Sequence, residues 1–371
     1  MAPASLSHAC LVVSSLLVIA CPALGQTPGF FGVGVPSDAV GGTSCYAISA
    51  NGLVAAGQSY GLTTYPGFTW TVAGGRNDFG TQAGLPANTG ARGISADGSV
   101  VVGRTASRAF VYRGPGTYQA IAPIGGYTAT AAAGVSGDGS IVVGNQFVPQ
   151  TFASQSFRWT SQTGVQNLGV ARPGDAYSGT GAISRDGSTI VGESFGGLDS
   201  VAYTWRQSTG MIPLPALPGS TSSRAKGVNL DGSIVVGVSG STHAVAWRDG
   251  QLMDLGLPSG FSGYGQANAV NDLGSVVVGY AAVGPNQFAS IWTPSFGMEF
   301  LSDYLVRNGI EIPSGWTLLN ATAVSADGLT IAGWGSNALT GSEGFVVTIP
   351  APSSLLALSV GAILATRRRR E

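Results

Sequence analysis

A unit of about 46 residues recurs seven times along this chain of 371 residues, and it limits the fold more than any other feature. Each copy has a small-residue strand, a turn that ends in glycine and a β-branched strand, as in residues 94–102 (Ile-Ser-Ala-Asp-Gly-Ser-Val-Val-Val). An Asp-Gly pair between short strands predicts a hairpin with a type I′ turn, because Asp and Gly tolerate positive φ. The turn glycines are Gly52, Gly98, Gly139, Gly187, Gly232, Gly274 and Gly328.

Two further strands complete each unit. The third strand carries an aromatic marker in six copies, and a second turn then leads to a fourth apolar segment such as residues 251–256. Four strands in a repeat of about 40 to 50 residues are typical of β-propeller blades. The sequence therefore predicts an all-β, seven-bladed propeller over residues 26–348. The third-strand markers are Trp70, Tyr112, Trp159, Trp205, Trp247, Trp292 and Val347.

The two ends of the repeat region complement each other. The seventh copy has no fourth segment after residues 344–348, whereas residues 33–37 precede the first copy and match residues 255–259. We therefore expect the N-terminal strand to complete the last blade and close the ring, which removes an exposed sheet edge. One departure from the repeat, residues 301–309, has helical spacing and a glycine stop, and predicts one short helix.

Composition excludes one class of partner. Charged residues make up 9% of the chain, against about 25% in an average soluble protein. The formal net charge is −1, and it becomes −4 when the last five residues are left out. Nucleic-acid binding needs clustered Lys and Arg that displace counterions. A weakly acidic repeat region does not supply them, so we expect no nucleic-acid partner.

Residues 1–25 have the pattern of a secretory signal peptide. An apolar run over residues 11–20 is followed by Cys21, Pro22 and small residues, with cleavage by signal peptidase expected after Gly25. An alternative remains open, because residues 18–21 also resemble a lipoprotein cleavage box that would leave a lipid on Cys21. In either case Cys45 is the sole cysteine of the mature chain, so no intramolecular disulfide is expected.

Residues 349–371 have the pattern of a C-terminal sorting signal. An apolar run over residues 355–366 is too short to cross the roughly 30 Å hydrocarbon core of a membrane as a helix. The arginines after it would stay cytoplasmic, so the tail predicts a transient hold in the inner membrane. Two prolines precede the run and four arginines follow it. These residues are Pro350, Ala351, Pro352, Arg367, Arg368, Arg369 and Arg370.

This order of proline pair, apolar run and arginine cluster resembles the PEP-CTERM sorting signal of Gram-negative bacteria. Proteins with the same tail are sometimes grouped under an ice-binding protein C-terminal domain. The resemblance implies recognition and cleavage by an exosortase-like enzyme, and then a place at the cell surface or outside the cell. Ala351 stands where the usual signal has glutamate.

The repeats resemble the HAF repeats of extracellular bacterial proteins, which are named for a His-Ala-Phe triplet before the third-strand tryptophan. The closest forms here are residues 243–245 (His-Ala-Val) before Trp247 and residues 108–110 (Arg-Ala-Phe) before Tyr112. The resemblance spans residues 30–348. It implies a secreted repeat protein and brings no catalytic residues.

The sequence offers few candidate catalytic residues. His8 leaves with the signal, so His243 is the only histidine of the mature chain, and no triad spacing, phosphate loop or dinucleotide fingerprint accompanies it. We therefore expect no enzyme activity, no cofactor and no metal site. A glycosidase-like propeller with paired carboxylates at the central pocket remains the alternative, because the mature chain keeps many Asp and Glu residues that could form such a pair.

Two recurring features each allow a structural and a functional interpretation. The Asp-Gly turns offer a single carboxylate beside glycine, unlike calcium loops, which place carboxylates at alternate positions, so we interpret them as structural turns. The third-strand aromatics fit packing between blades better than a platform for sugars, because their place in the repeat is fixed.

The connections between strands predict two different rims. The short turns from first to second and from third to fourth strand share one rim, here called the turn rim. The variable connections share the opposite rim, the loop rim, where binding residues of a rigid scaffold concentrate. The many aromatic residues of the loop rim favour a binding patch. The alternative is that their side chains pack against the loops and the blades instead. These aromatic residues are Tyr60, Tyr65, Tyr127, Phe147, Tyr177, Phe261, Tyr264, Tyr280 and Trp334, the last of which the pattern places in a loop.

Together these observations predict an exported, non-enzymatic protein that binds extracellular polysaccharide or protein through its loop rim. Two alternatives stay open: the carboxylate-pair glycosidase, and a structural matrix component without a discrete ligand.

Overall fold

The computed structural model describes residues 27–61, 64–79, 86, 88–151, 153–197, 199–240 and 242–351. The predicted signal peptide, Pro352 and the arginine cluster lie outside these residues. The described chain forms seven four-stranded antiparallel sheets, and in six of them the strands follow chain order from first to fourth. The first strands line a central channel. The fold is the predicted seven-bladed β-propeller.

Blades one to three come from the first half of the chain. Blade one has β2 (Thr43–Ile48), β3 (Ala55–Ser59), β4 (Gly67–Thr71) and β5 (Gly75–Asp78). Blade two has β6 (Gly90–Ile94), β7 (Val101–Arg104), β8 (Ala109–Tyr112) and β9 (Gln119–Ile121). Blade three has β10 (Ala129–Val135), β11 (Val142–Phe147), β12 (Ser154–Thr160) and β13 (Gly164–Asn167).

Blades four to seven follow in order. Blade four has β14 (Tyr177–Ile183), β15 (Ile190–Phe195), β16 (Ser200–Arg206) and β17 (Gly210–Pro213). Blade five has β18 (Ser223–Val228), β19 (Ile234–Ser239), β20 (His243–Arg248) and β21 (Gln251–Asp254). Blade six has β22 (Tyr264–Val270), β23 (Val277–Val283), β24 (Asn286–Thr293) and β25 (Gly297–Phe300). Blade seven has β26 (Trp316–Val324), β27 (Thr330–Asn337), β28 (Gly341–Thr348) and, as its fourth strand, β1 (Gly29–Gly32).

The N-terminal strand closes the ring as predicted. Strand β1 pairs antiparallel with β28, with Phe31 opposite Val346, and the Val33 amide continues the ladder by donating to the Gly344 carbonyl at 3.0 Å. The ring of Phe30 lies 5.0 Å from that of Trp316, centroid to centroid. Blade seven thus joins the two ends of the repeat region in one sheet.

The first turn of each blade differs from the predicted type I′ turn. The Gly98 amide donates to the Ser95 carbonyl, and among these two and the residues between them only Gly98 has positive φ, at 82°. The turn is therefore type I followed by a left-handed glycine. Asp97 does not have a left-handed backbone conformation. Its carboxylate accepts hydrogen bonds from the Ser95 hydroxyl at 2.6 Å and from the Ser99 amide at 2.9 Å. Positive φ at two successive residues occurs instead in the second turn of blade five, with 49° at Asp249 and 80° at Gly250.

Backbone hydrogen bonds between these turns link neighbouring blades around the channel. The Ala50 amide donates to Ala96 of the next blade, Ala96 in turn donates to Gly137, and the Ala326 amide of blade seven returns to Ala50. Between blades five and six a side chain takes this role, because the Asn229 amide group donates to the Asp272 carbonyl at 3.1 Å. The turn rim therefore has a chain of bonds that runs across the closure.

The third-strand aromatics pack between blades, as predicted. Trp247 is 1% exposed and its indole N–H donates to the Pro215 carbonyl at 2.7 Å. Trp70, Tyr112 and Trp159 are buried as well, while Trp205 and Trp292 are half-buried against the same kind of core. Each large aromatic buries on the order of 150–250 Å², so this position supplies much of the contact between neighbouring sheets.

The predicted helical insertion is α1 (Leu301–Arg307). Leu301 and Leu305 are fully buried between blades six and seven, and Gly309 with φ of 76° ends the helix. Among the described residues no helix has the length and apolar character needed to cross a membrane.

Candidate functional site

Every first strand of the propeller contains a β-bulge at the same place. In blade five the pairing register shifts between Ala225 and Gly227, which leaves Lys226 without a partner in the ladder. A bulge re-aims the side chain of the extra residue, and here all seven extra residues line the central channel. We call them the bulge ring. They are Tyr46, Arg92, Ala133, Gly181, Lys226, Asn268 and Thr322.

The bulge explains a glycine that recurs in every second strand. Gly237 faces the bulge of its own blade, and a Cβ there would overlap the Arg224 carbonyl oxygen. The other blades repeat this close approach, so the residue must be glycine for the bulge to form. The seven positions are Gly57, Gly103, Gly144, Gly192, Gly237, Gly279 and Gly333.

The residue directly after this glycine forms a second set of variable positions. These residues are Gln58, Arg104, Asn145, Glu193, Val238, Tyr280 and Trp334. Trp334 therefore lies within β27, opposite Asn320 and Gly344, and the prediction of a loop position for it was wrong. Each of the other blades has a residue at the position equivalent to Trp334, but none of these residues is a tryptophan.

The bulge ring and two of these residues enclose a cavity of about 550 Å³, here called the channel mouth. Three basic side chains line it, and no Asp or Glu is part of its lining. The remaining lining is aromatic, amide, hydroxyl or small. The lining residues are Tyr46, Arg92, Arg104, Ala131, Ala132, Ala133, Gly181, Lys226, Asn268, Asn320, Thr322 and Trp334.

Lys226 is a half-buried cation in this cavity. Burial lowers the pKa of its amine, an effect that the charge of Glu193 opposes and that of Arg224 reinforces. Glu193 is already ion-paired with Arg224 at 2.8 Å. Within the described part of the chain the Lys226 side chain donates no hydrogen bond, and neither does that of Arg104.

The third basic side chain, Arg92, has only weak partners. Its guanidinium lies over the Tyr46 ring at 3.8 Å from the centroid and reaches the Gln58 side-chain oxygen at 3.4 Å. The Tyr46 hydroxyl is hydrogen-bonded to that of Tyr60, and burial together with this bond raises the pKa of Tyr60 to about 12. Tyr60 is therefore neutral, and the Arg92 guanidinium forms no ion pair with the described residues.

A groove of about 350 Å³ between blades one and two adjoins the channel mouth, and it shares Arg92 and Arg104 with it. Tyr60 and Tyr65 line this groove, and their rings are 6.4 Å apart in a T-shaped arrangement. Tyr65 is 38% exposed. We call this cavity the tyrosine groove.

The structure divides the predicted loop-rim aromatics into two groups. Tyr60, Tyr65 and Trp334 line the tyrosine groove or the channel mouth. The others pack locally instead. The ring of Tyr177 lies 5.6 Å from that of Phe195, the ring of Tyr264 lies 6.5 Å from that of Tyr280, and Phe261 packs between Phe288 and Phe300. Tyr127 and Phe147 are half-buried. Phe147 and Tyr280 lie within β11 and β23, so their predicted place in the connections was wrong. Their role in binding stays a prediction.

The opposite end of the channel is narrow. An ion pair between Arg185 and Asp272 joins blades four and six across the turn rim, beside a cavity of only about 120 Å³. Lining residues there include Ile48, Ile94 and Ile183. The channel is therefore wide and polar toward the loop rim and narrow toward the turn rim.

Groups for metal or acid–base chemistry are sparse. In the described ranges no three His, Cys, Asp or Glu side chains cluster in a way that suits a metal ion. His243 is an exposed residue of β20, and its Nδ1 lies 3.0 Å from the Asp254 carboxylate. Cys45 is fully buried, and burial raises the pKa of its thiol. None of these residues lines the channel mouth.

A sequence signal for the channel mouth exists but was missed. The position three residues before the turn Ser or Asn reads Tyr, Arg, Ala, Gly, Lys, Asn and Thr from blade to blade, between neighbours that hardly change. Lys226 is also the only lysine in the chain. Variation at one position of a repeat, between neighbours that hardly change, indicates residues that the fold itself does not require.

A scan against protein-family models finds no match, and a search of curated proteins finds none either. Solved structures with a similar fold include an oligogalacturonate lyase in complex with manganese, at 12% identity and a TM-score of 0.57, covering 86% of this chain and 93% of that chain. Another is the WD40-repeat structure of RRP9, at 12% identity and a TM-score of 0.54, covering 88% and 99%.

TolB from Acinetobacter baumannii matches at 16% identity with a TM-score of 0.44, over 71% of this chain. This chain spans 64% of the length of that TolB. Likeness at such identities shows the propeller fold alone.

Proposed function

We propose that this chain is an exported, non-enzymatic binding protein that takes extracellular polysaccharide or protein at the channel mouth and the tyrosine groove. The resemblance of the two ends to a signal peptide and an exosortase-processed tail supports export and display at the cell surface or in the surrounding matrix. A rigid seven-bladed ring with a polar cavity at its centre is a suitable scaffold for such a module.

One observation carries this proposal. All seven variable residues of the bulge ring line one cavity, together with Arg104 and Trp334, which follow the recurring glycine in blades two and seven. A purely structural repeat has no need of seven different side chains at equivalent places. A ligand site does, because each side chain then meets a different part of the ligand.

The exit point of the tail agrees with this orientation. Strand β28 ends at the turn rim, Ile349 is still buried, and Pro350 is exposed. A protein held by its C-terminal tail would therefore present the loop rim away from the attachment point. The channel mouth would face the surrounding medium.

The rival proposals have less support. A glycosidase with paired carboxylates at the central pocket would need Asp or Glu in the lining of the mouth, and none is there. An enzymatic function stays an alternative, because the fold is similar to that of an oligogalacturonate lyase and the propeller fold occurs in both enzymes and binding proteins. A structural component without a ligand does not account for unpartnered cations in a cavity.

The test uses the exported protein with a panel of extracellular polysaccharides and proteins, measuring both saturable binding and released products. We expect binding without turnover, weakened at least about tenfold by Trp334→Ala, since aromatic anchors dominate such sites. Leu273→Ala, at a residue 78% exposed on the turn rim, is the matched control and leaves affinity unchanged.

Product release from any glycan would favour the enzyme instead. Absence of binding to every member of the panel would favour the structural component. Mass spectrometry of the exported protein tests the proposed processing, because it reports both cleavage sites and any lipid on Cys21.

A further inference from the structure

The charges of the channel mouth are arranged across the channel. Arg92 on β6 and Arg104 on β7 belong to blade two, whereas Lys226 on β18 belongs to blade five. In a ring of seven, these two blades are as far apart as any pair. The basic side chains therefore approach the cavity from opposite sides, in a chain whose body is weakly acidic overall.

Keeping these cations together is unfavourable for the free protein, because like charges that line one cavity repel one another. Lys226 is half-buried and loses part of its hydration as well, whereas Arg104 is exposed. Lys226 and Arg104 recover none of this through side-chain hydrogen bonds to the described residues. An anion that enters between them would supply what the protein lacks, and charge-assisted bonds of this kind are among the stronger polar contacts.

The neutral lining indicates which anion fits. The Asn268 side-chain amide donates to the Asn320 side-chain oxygen at 2.7 Å and to the Ala321 carbonyl at 2.9 Å, so among the described residues the donors left for a ligand are those of Asn320. Trp334 and Tyr46 add aromatic surface to the same wall. Amides, aromatic surface and cations together suit a ring that carries both hydroxyl groups and a carboxylate.

The size of the site points to a chain of such rings. The channel mouth of about 550 Å³ and the tyrosine groove of about 350 Å³ meet at Arg92 and Arg104. A single small anion would fill only part of this space. Two adjoining cavities with cations at their junction match an elongated ligand with repeated negative charges.

We infer that the channel mouth and the tyrosine groove bind an acidic oligosaccharide, whose uronate carboxylates pair with Arg92 and Arg104 on one side of the channel and with Lys226 on the other. This inference rests on the proposed binding function and names the class of ligand for it. It involves no covalent step.

The experiment is calorimetric titration of the full exported protein with three probes: hexagalacturonate, the neutral hexasaccharide maltohexaose and the acidic peptide hexaglutamate. Hexagalacturonate is expected to bind best, with an affinity that falls as salt is raised. Lys226→Met and Arg104→Met should each weaken it about tenfold to a hundredfold, the range for a hydrogen bond to a charged group. Lys226→Arg should retain most of the affinity.

Arg248→Met is the matched control, because Arg248 is an exposed cation beside the Asp249–Gly250 turn on the turn rim. It removes the same charge and should leave affinity within about twofold at moderate salt. Should Lys226→Met fold poorly, Ala133→Glu places a carboxylate in the bulge ring instead and should reduce hexagalacturonate binding by a similar factor.

The outcomes separate the inference from the proposed function. Equal binding of maltohexaose, or hexagalacturonate binding that ignores Lys226→Met and Ala133→Glu, overturns the acidic-sugar inference while the binding function stands. Tighter binding of hexaglutamate overturns it in favour of an acidic peptide. Failure of all three probes overturns it as well, and only failure of the wider panel of polysaccharides and proteins overturns the binding function.

Discussion

Deleting residues 26–38 should destabilise the propeller far more than its length suggests, because this segment supplies the fourth strand of blade seven. Val33 is 3% exposed, and half-buried Phe30 packs on both Trp316 and Phe345. Full burial of such a side chain is worth about 1.5–3 kcal/mol, and each aromatic pair adds about 0.5–1.5 kcal/mol.

The deletion also removes a partner of a buried carboxylate. Glu343 is 4% exposed and accepts hydrogen bonds from the Gly34 amide at 2.9 Å and from Asn337 and Thr340. Losing one such bond costs about 1–3 kcal/mol. With the lost apolar burial, the total comes to about 6 kcal/mol, a large part of the 5–15 kcal/mol that stabilises an ordinary domain.

Urea unfolding followed by tryptophan fluorescence measures this loss, and amide hydrogen exchange locates it. The deletion variant should unfold at a much lower urea concentration, and the amides of β28 should lose protection before those of β19 in blade five. Phe30→Ala is the milder companion, with an expected loss of about 2 kcal/mol. An unchanged midpoint together with unchanged protection in β28 would refute the closed ring.

Three further predictions concern the repeat itself. Gly237→Ala should destabilise by about 3 kcal/mol or more in thermal unfolding, because its Cβ has no room, whereas Gly197→Ala, which meets open space, should be neutral. Hydrogen bonds from neighbouring Ser side chains and amides lower the pKa of Asp97 to about 2 and also lower that of Asp138. As pH falls, the unfolded chain therefore takes up protons before the folded chain does, so this stabilisation is complete above about pH 4 and is lost as pH falls toward 2. Replacing both residues by Asn should make the fall of Tm over that range shallower. An equally steep fall of Tm would contradict the argument. Asn229→Ser keeps the turn acceptor but removes the bond to the next blade, and should cost about 1 kcal/mol in urea unfolding, with no change if the interblade bond is dispensable.

Much of the fold could be predicted because each blade repeats the same local rules. The match of residues 33–37 with residues 255–259 even gives the right strand register, since β1 (Gly29–Gly32) and β21 (Gln251–Asp254) both end just before these segments. The glycine stop at Gly309 likewise marks the end of α1. These features depend on residues close in sequence, which patterns record well.

The candidate site could not be predicted in the same way. Comparison of the repeats singles out the position of Lys226, but it does not show that a bulge turns the side chain into the channel, since the bulge depends on how β18 pairs with β19. The meeting of Arg92 with Lys226 depends on closure of the whole ring. Trp334 looked like a loop residue because the strand pattern ends early in its copy, while the ladder continues to Asn337.

The most direct test of a ligand at the channel mouth uses the fact that the chain has one lysine. The half-buried Lys226 amine, whose pKa burial lowers, should react with an amine-acylating reagent, and mass spectrometry reads the modified fraction at this residue alone. Saturating hexagalacturonate should slow acylation of Lys226 at least about tenfold, whereas maltohexaose should not. Acylation at the same rate with bound hexagalacturonate would contradict a site at the channel mouth.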